Sequence, residues 1–146
     1  MEYQHEQYMK RCIDLGKLAK EQGHPPVGSL IVKDEQVIAE AFEREEEIPQ
    51  SIGHAELIAV VKAIKLLNTK DLDNCLLYTT KEPCFMCSYL IRQCKIKGVI
   101  FASPSGEIGG VGSNFPILST HTIGKWSSPP FIIEGIMREE CERRLK

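Results

Sequence analysis

The chain has 146 residues, enough to bury one hydrophobic core and too few for two comfortable ones. Its hydrophobic content of 42%, charged content of 26% and net charge of −2 are ordinary for a soluble globular protein and lack the basic excess of a protein that grips phosphates. No apolar run reaches the roughly 18 residues of a membrane span, and the polar start Met1-Glu2-Tyr3-Gln4-His5-Glu6 is no secretory signal, so a cytoplasmic location is expected.

Apolar residues at Tyr8, Met9, Cys12, Ile13, Leu15, Leu18 and Ala19 predict a helix over 3–22, which Gly23 and Pro25-Pro26 stop. Leu30-Ile31-Val32, the turn Lys33-Asp34-Glu35-Gln36 and Val37-Ile38-Ala39 read as a hairpin. A polar loop covers 43–53. A second helix starts near His54 and carries Leu57, Ile58, Val60, Val61, Ile64 and Leu67. Residues 75–80 form a third strand, and proline's tolerance for a first helical turn opens a third helix at Pro83, ending near Gln93. A fourth strand spans 99–102, a fifth covers Phe131-Ile132-Ile133, and a last helix occupies 137–145. Residues 103–130 hold much of the Gly, Pro and Ser and little periodicity. Strands alternating with helices predict one α/β domain over 1–146, with at least one parallel strand pair.

The chemistry sits in His54-Ala55-Glu56 and Pro83-Cys84-Phe85-Met86-Cys87. His54, Cys84 and Cys87 are zinc ligands by type, and Glu56 is a carboxylate beside the first of them. Structural zinc normally takes four protein ligands, whereas catalytic zinc takes three and keeps a position for water. A carboxylate at that position can accept the water's proton and pass it on. A scaffold zinc would need a fourth ligand from Cys75, Cys94 or His24 and would leave Glu56 idle. Cys12, Cys75, Cys94 and Cys141 are scattered singly and read as buried thiols.

With these residues the chain resembles the zinc-dependent cytidine and nucleotide deaminase superfamily, whose signature is H-x-E…P-C-x-x-C. Pro26-Val27-Gly28, Leu77-Tyr78-Thr79, Glu82-Pro83-Cys84 and Gly112-Ser113 resemble segments of its tRNA adenosine deaminase and guanine deaminase branch. The ending Glu134-Gly135-Ile136 and Glu140-Cys141 is similar to the tail of the tRNA enzymes. The resemblance implies a three-layer cytidine-deaminase-like fold, with a central mixed five-stranded sheet flanked by helices. It also implies one Zn2+ per chain on His54, Cys84 and Cys87, and Glu56 as the catalytic proton carrier. Substrate contacts would come from Gly28, Ser29, Glu82 and Pro83, and the assembly would be a homodimer.

Phe42-Glu43 stand where the resembling families carry an asparagine that holds the substrate base. A carboxylate only accepts hydrogen bonds unless protonated, so Glu43 suits rings that present N–H donors. The run Glu43-Arg44-Glu45-Glu46-Glu47 would also repel phosphates. The expected substrate is therefore a small amino-heterocycle, a nucleobase or nucleoside with a guanine-, pterin- or aminotriazine-like ring. The alternative is a tRNA-specific adenosine deaminase acting at the anticodon wobble position. A more remote alternative is a non-catalytic zinc-stabilised binding module.

Overall fold

The computed structural model describes residues 2–45 and 48–146. Helix α1 (Glu2–Glu21) turns its Met9, Cys12, Ile13, Leu15 and Ala19 face inward, while Leu18 lies on its outer side. Strands β1 (Gly28–Lys33) and β2 (Gln36–Phe42) form the hairpin, with Asp34 and Glu35 both at positive φ in its two-residue turn. Helix α2 (Ala55–Leu67), strand β3 (Cys75–Lys81), helix α3 (Phe85–Gln93), strand β4 (Gly98–Ser103), strand β5 (Phe131–Glu134) and helix α4 (Arg138–Leu145) follow. Every strand runs longer than its apolar centre foretold, because ladder pairing extends into polar flanks such as Lys81 and Ser103.

The five strands make one mixed sheet in the order β2-β1-β3-β4-β5. β1 pairs antiparallel with β2 and β3, whereas β3, β4 and β5 run parallel. Helices cover both faces. One core packs α1 and α4 against Leu30, Val32, Tyr78, Ile100 and Ala102. The other packs α2 and α3 against Ile31, Leu77, Val99 and Phe101. Alternation along β1, β3 and β4 thus feeds the two cores in turn, and the cysteines outside the motif fill them: Cys12 and Cys141 in the first, Cys75 and Cys94 in the second. The fold is the three-layer α/β arrangement that the resemblance implied.

Two helix starts differ from expectation. Helix α3 opens at Phe85, not Pro83, and Cys84 is its extended N-cap at φ −72° and ψ 178°. Residues 83–84 are diverted into backbone pairing with a distant loop: Cys84 forms an antiparallel bridge with Gly109, and the Pro83 carbonyl accepts the Gly110 N–H at 2.9 Å. Helix α4 begins at Arg138 because Met137 sits in the left-handed region at φ 56°.

Strand β1 begins where it is pressed hardest on α1. A Cβ at Gly28 would stand 2.1 Å from the Cys12 carbonyl oxygen and 2.7 Å from the Gly16 nitrogen, both backbone atoms that cannot swing aside. Gly28→Ala should therefore destabilise the protein by about 3 kcal/mol through overpacking, read as a lower urea midpoint at unchanged slope.

Candidate functional site

The loops that precede α2 and α3 bring the motif residues together. His54 is the extended N-cap of α2, Cys84 is the N-cap of α3, and Cys87 lies in the first turn of α3. His54 Nδ1 stands 3.4 Å from Cys84 Sγ and 3.6 Å from Cys87 Sγ, and the three ligand atoms lie within 4.8 Å of one another. Zinc bonds of about 2.3 Å to sulfur and about 2.05 Å to nitrogen, at a tetrahedral angle, separate two such ligands by about 3.6 Å. The spacing and the donor set both fit zinc. Among the described residues no fourth His, Cys, Asp or Glu joins the group, so Cys75, Cys94 and His24 do not complete a scaffold site.

The electrostatics match a cation site. The Cys84 thiol is pulled down to about 4, first by its hydrogen bond with Cys87 and then by His54, so it is a thiolate at neutral pH. The Cys87 thiol is pushed up, chiefly because it shares its proton with Cys84. His54 rises to about 9 through its hydrogen bond to Cys84. A divalent cation would release these shared protons and take over their role. Both helices also aim the positive ends of their dipoles at the cluster.

Glu56, in the first turn of α2, is buried at 4% exposure. Its carboxylate accepts its own backbone N–H and opens on a cavity of about 150 Å³ that His54 and Cys84 also line. Burial lifts its carboxyl to about 8, and the neighbouring Glu43 adds to the rise. Glu43 is buried in the same wall. Its Oε1 accepts the Ala55 N–H at 3.1 Å, so it caps the start of α2, which His54 itself does not. Burial also raises the Glu43 carboxyl.

The other proposed contacts separate. Glu82 lines the cavity, but both its carboxylate oxygens are taken by backbone N–H groups of Ser105, Val111 and Gly112. Pro83 is buried beside it, its carbonyl accepting from Gly110 N–H and Ser88 Oγ. Gly28 and Ser29 are engaged elsewhere: the Gly28 N–H donates to Thr80 Oγ1, and Ser29 Oγ donates to Thr79 Oγ1. Phe42 packs on the α1 core. None of these last three lines the cavity. The wall is completed by Pro25, Val27, Lys81, Ser105 and Ile108, which sequence reasoning did not single out. The only sequence signal for the last two was the glycine-rich run Gly106, Gly109, Gly110 and Gly112 around them.

Residues 103–130 are held by α3. A short 3₁₀ turn, Gly106–Ile108, is the helical element here. Buried Arg92 donates to the carbonyls of Ile117, Leu118, Thr120 and Ser127. Its guanidinium stacks 4.7 Å from the Trp126 ring centre, and Trp126 Nε1–H donates to Gln93. Trp126 anchors the loop and does not line the cavity.

Residues 2–103 match the family model described as the cytidine and deoxycytidylate deaminase zinc-binding region. The chain belongs to this family. It is 41% identical over 144 residues to the tRNA-specific adenosine deaminase of Aquifex aeolicus, covering 97% of this chain and 95% of the relative. Its fold superposes at a TM-score of 0.86, with 26% identity and 95% and 99% coverage, on a structure solved in studies of A-to-I editing by tRNA:A34 deaminases at the wobble position of transfer RNA. Against the guanine deaminase of Bacillus subtilis the TM-score is 0.64, with 38% identity over 68% of this chain and 64% of that one. The chain is thus a zinc-dependent hydrolytic deaminase. No described helix is long and apolar enough to cross a membrane.

These similarities overturn the expected small guanine-, pterin- or aminotriazine-like substrate, since near-complete coverage and the higher TM-score both fall on the tRNA enzymes. The structure supplies the physical reason. Glu43 Oε1 is committed to Ala55, so the carboxylate does not offer a free pair of acceptors to two ring N–H groups. The acidic run is also less repulsive than its letters suggest. Glu43 is buried, and Glu45 is paired with Lys62. Glu46 and Glu47 lie outside the described residues.

Dialysis against a strong chelator should remove about one zinc per chain, and His54→Ala should bind none at matched free zinc, read by atomic absorption. Retention of zinc by His54→Ala would mean the cluster is not the site.

Proposed function

We propose that the protein is a tRNA-specific adenosine deaminase, converting adenosine to inosine at the wobble position of an anticodon. The observation that carries this reading is the 41% identity to the Aquifex aeolicus enzyme along nearly the whole of both chains, with the three-ligand cluster in place. The proposal treats 1–146 as one deaminase domain, placed in the cytoplasm with its tRNA. It also pairs two copies as a homodimer, for which Val61 on α2 and Tyr89 on α3 offer exposed apolar surface on the helices that bear the site.

Zinc held by His54, Cys84 and Cys87 would supply the Lewis acidity that activates water near neutral pH. The chain's own residues do the rest. Glu56 is buried and opens on the cavity, so it accepts the proton of the attacking water and passes it to a ring nitrogen of the adenine. Burial raises the carboxyl, and a nearby cation would lower it again by favouring the carboxylate that accepts the proton. Glu43 holds the start of α2 and thereby the angle between His54 and Glu56. Lys81, exposed at the cavity rim, places a cation where a phosphate beside the target nucleotide would pass. The cavity of about 150 Å³ takes one base, so the target nucleotide must leave its stack to enter.

An anticodon stem-loop with adenosine at the wobble position should yield inosine and ammonia, while free adenine, guanine, cytosine and their nucleosides should react at least about 100-fold more slowly. Preferred turnover of any free base or nucleoside would refute the reading. Glu56→Gln should keep about one zinc and lose roughly 10³-fold in kcat, the middle of the usual range for general acid–base groups.

A further inference from the structure

Glu82 looks like a substrate contact from its place two residues before Cys84, and the cavity lining includes it. Its bonding says otherwise. Oε1 accepts the Ser105 N–H at 3.0 Å, and Oε2 accepts the N–H groups of Val111 at 2.8 Å and Gly112 at 2.9 Å. The side chain is 3% exposed, and its backbone carbonyl accepts Ser105 Oγ–H at 2.6 Å. Both carboxylate oxygens are thus already engaged by backbone donors. The loop it grips, 105–112, is also the loop that supplies Ser105 and Ile108 to the cavity wall.

We propose that Glu82 is a positioning residue, whose carboxylate sets the place of the Ser105–Ile108 wall against the Cys84 start of α3 and so sets how the target nucleotide is held. The claim rests on the deaminase site and, for its assay, on the tRNA reading above. Three charge-assisted bonds converge on one buried carboxylate from two separated stretches of the loop, so they fix the loop's path and not merely one contact. Gly109 makes the same point from the other side. Its backbone is at an ordinary φ of −75°, so it needs no glycine for conformation. A Cβ there would stand 2.1 Å from Glu82 Oε2 and 2.3 Å from its carboxyl carbon. Glycine is required because the carboxylate fills that space.

This steric interlock provides a test that separates positioning from direct contact. Glu82→Ala and Gly109→Ala should each raise KM for the anticodon stem-loop by about 10-fold or more, with kcat within about 3-fold and zinc content unchanged. In the Glu82→Ala background the vacated volume accommodates a methyl group at Gly109, so the double variant should be no worse than Glu82→Ala alone. Hydrogen exchange should show faster exchange at the Ser105, Val111 and Gly112 amides in Glu82→Ala. Arg92→Lys serves as the structural control. It loosens the distal 117–127 stretch, which does not line the cavity, and should lower the melting temperature while leaving KM unchanged. A loss confined to kcat, additive effects in the double variant, or unaltered exchange at the three amides would overturn the proposal. If wild-type protein fails to deaminate the stem-loop, the tRNA reading falls. The exchange experiment still decides the clamp, because it needs no substrate.

Discussion

Two helices that start at the same point in space are the constraint on which the rest depends. The first turns of α2 and α3 must meet closely enough for one metal ion to touch a histidine from one and two cysteines from the other. Parallel β3 and β4 with α3 crossing between them set one side of that meeting, and the packing of α2 on the sheet's same face sets the other. Neither helix caps itself with its own N-cap side chain, since both side chains turn into the cluster that fits a metal ion. Free N–H groups at a helix start are costly when buried. At α2 the cost is met by Glu43, reaching across from the end of β2. The metal cluster therefore commits residues well beyond its three ligands.

This explains why the site was only partly legible. His54, Glu56, Cys84 and Cys87 announce themselves because metal chemistry needs those atom types at those spacings whatever the surroundings. The strands and helices were legible for a similar reason: apolar period and breaker residues are local signals. Gly28 and Phe42 serve the α1 core, and the Ser29 hydroxyl is spent on Thr79, tasks that a segment resembling the relatives' does not reveal. Glu43 was read as a ligand-facing charge, and its backbone task at Ala55 depends on a contact across 12 residues that no local pattern encodes. The start of α3 shifted by two residues because a loop from beyond β4 captures the Pro83–Cys84 backbone.

The least periodic stretch turns out to be governed by charge. Residues 103–130 present few apolar anchors, and the two groups that order them flank the Cys84–Cys87 helix start and end. Glu82 collects N–H groups from the near part of the loop, and Arg92 supplies N–H groups to carbonyls of the far part. Each is a buried charge satisfied by backbone dipoles and not by a counter-ion. Such an arrangement tolerates little exchange, because removing either charge leaves several buried backbone groups without partners.

A consequence for specificity follows from where these anchors lie. The metal-fitting cluster is built on helix starts, while the cavity-wall residues Ser105 and Ile108 ride on a loop whose backbone N–H groups bond a carboxylate two residues before Cys84. Metal and wall are thus tied to the same few residues, 82–84, and cannot drift apart independently. Changes in substrate preference within such a frame are more easily made through residues that the anchors hold than through the anchors themselves. Ser105, Ile108 and Lys81 line the cavity, and Glu82, Gly109 and Glu43 fix the backbone around it.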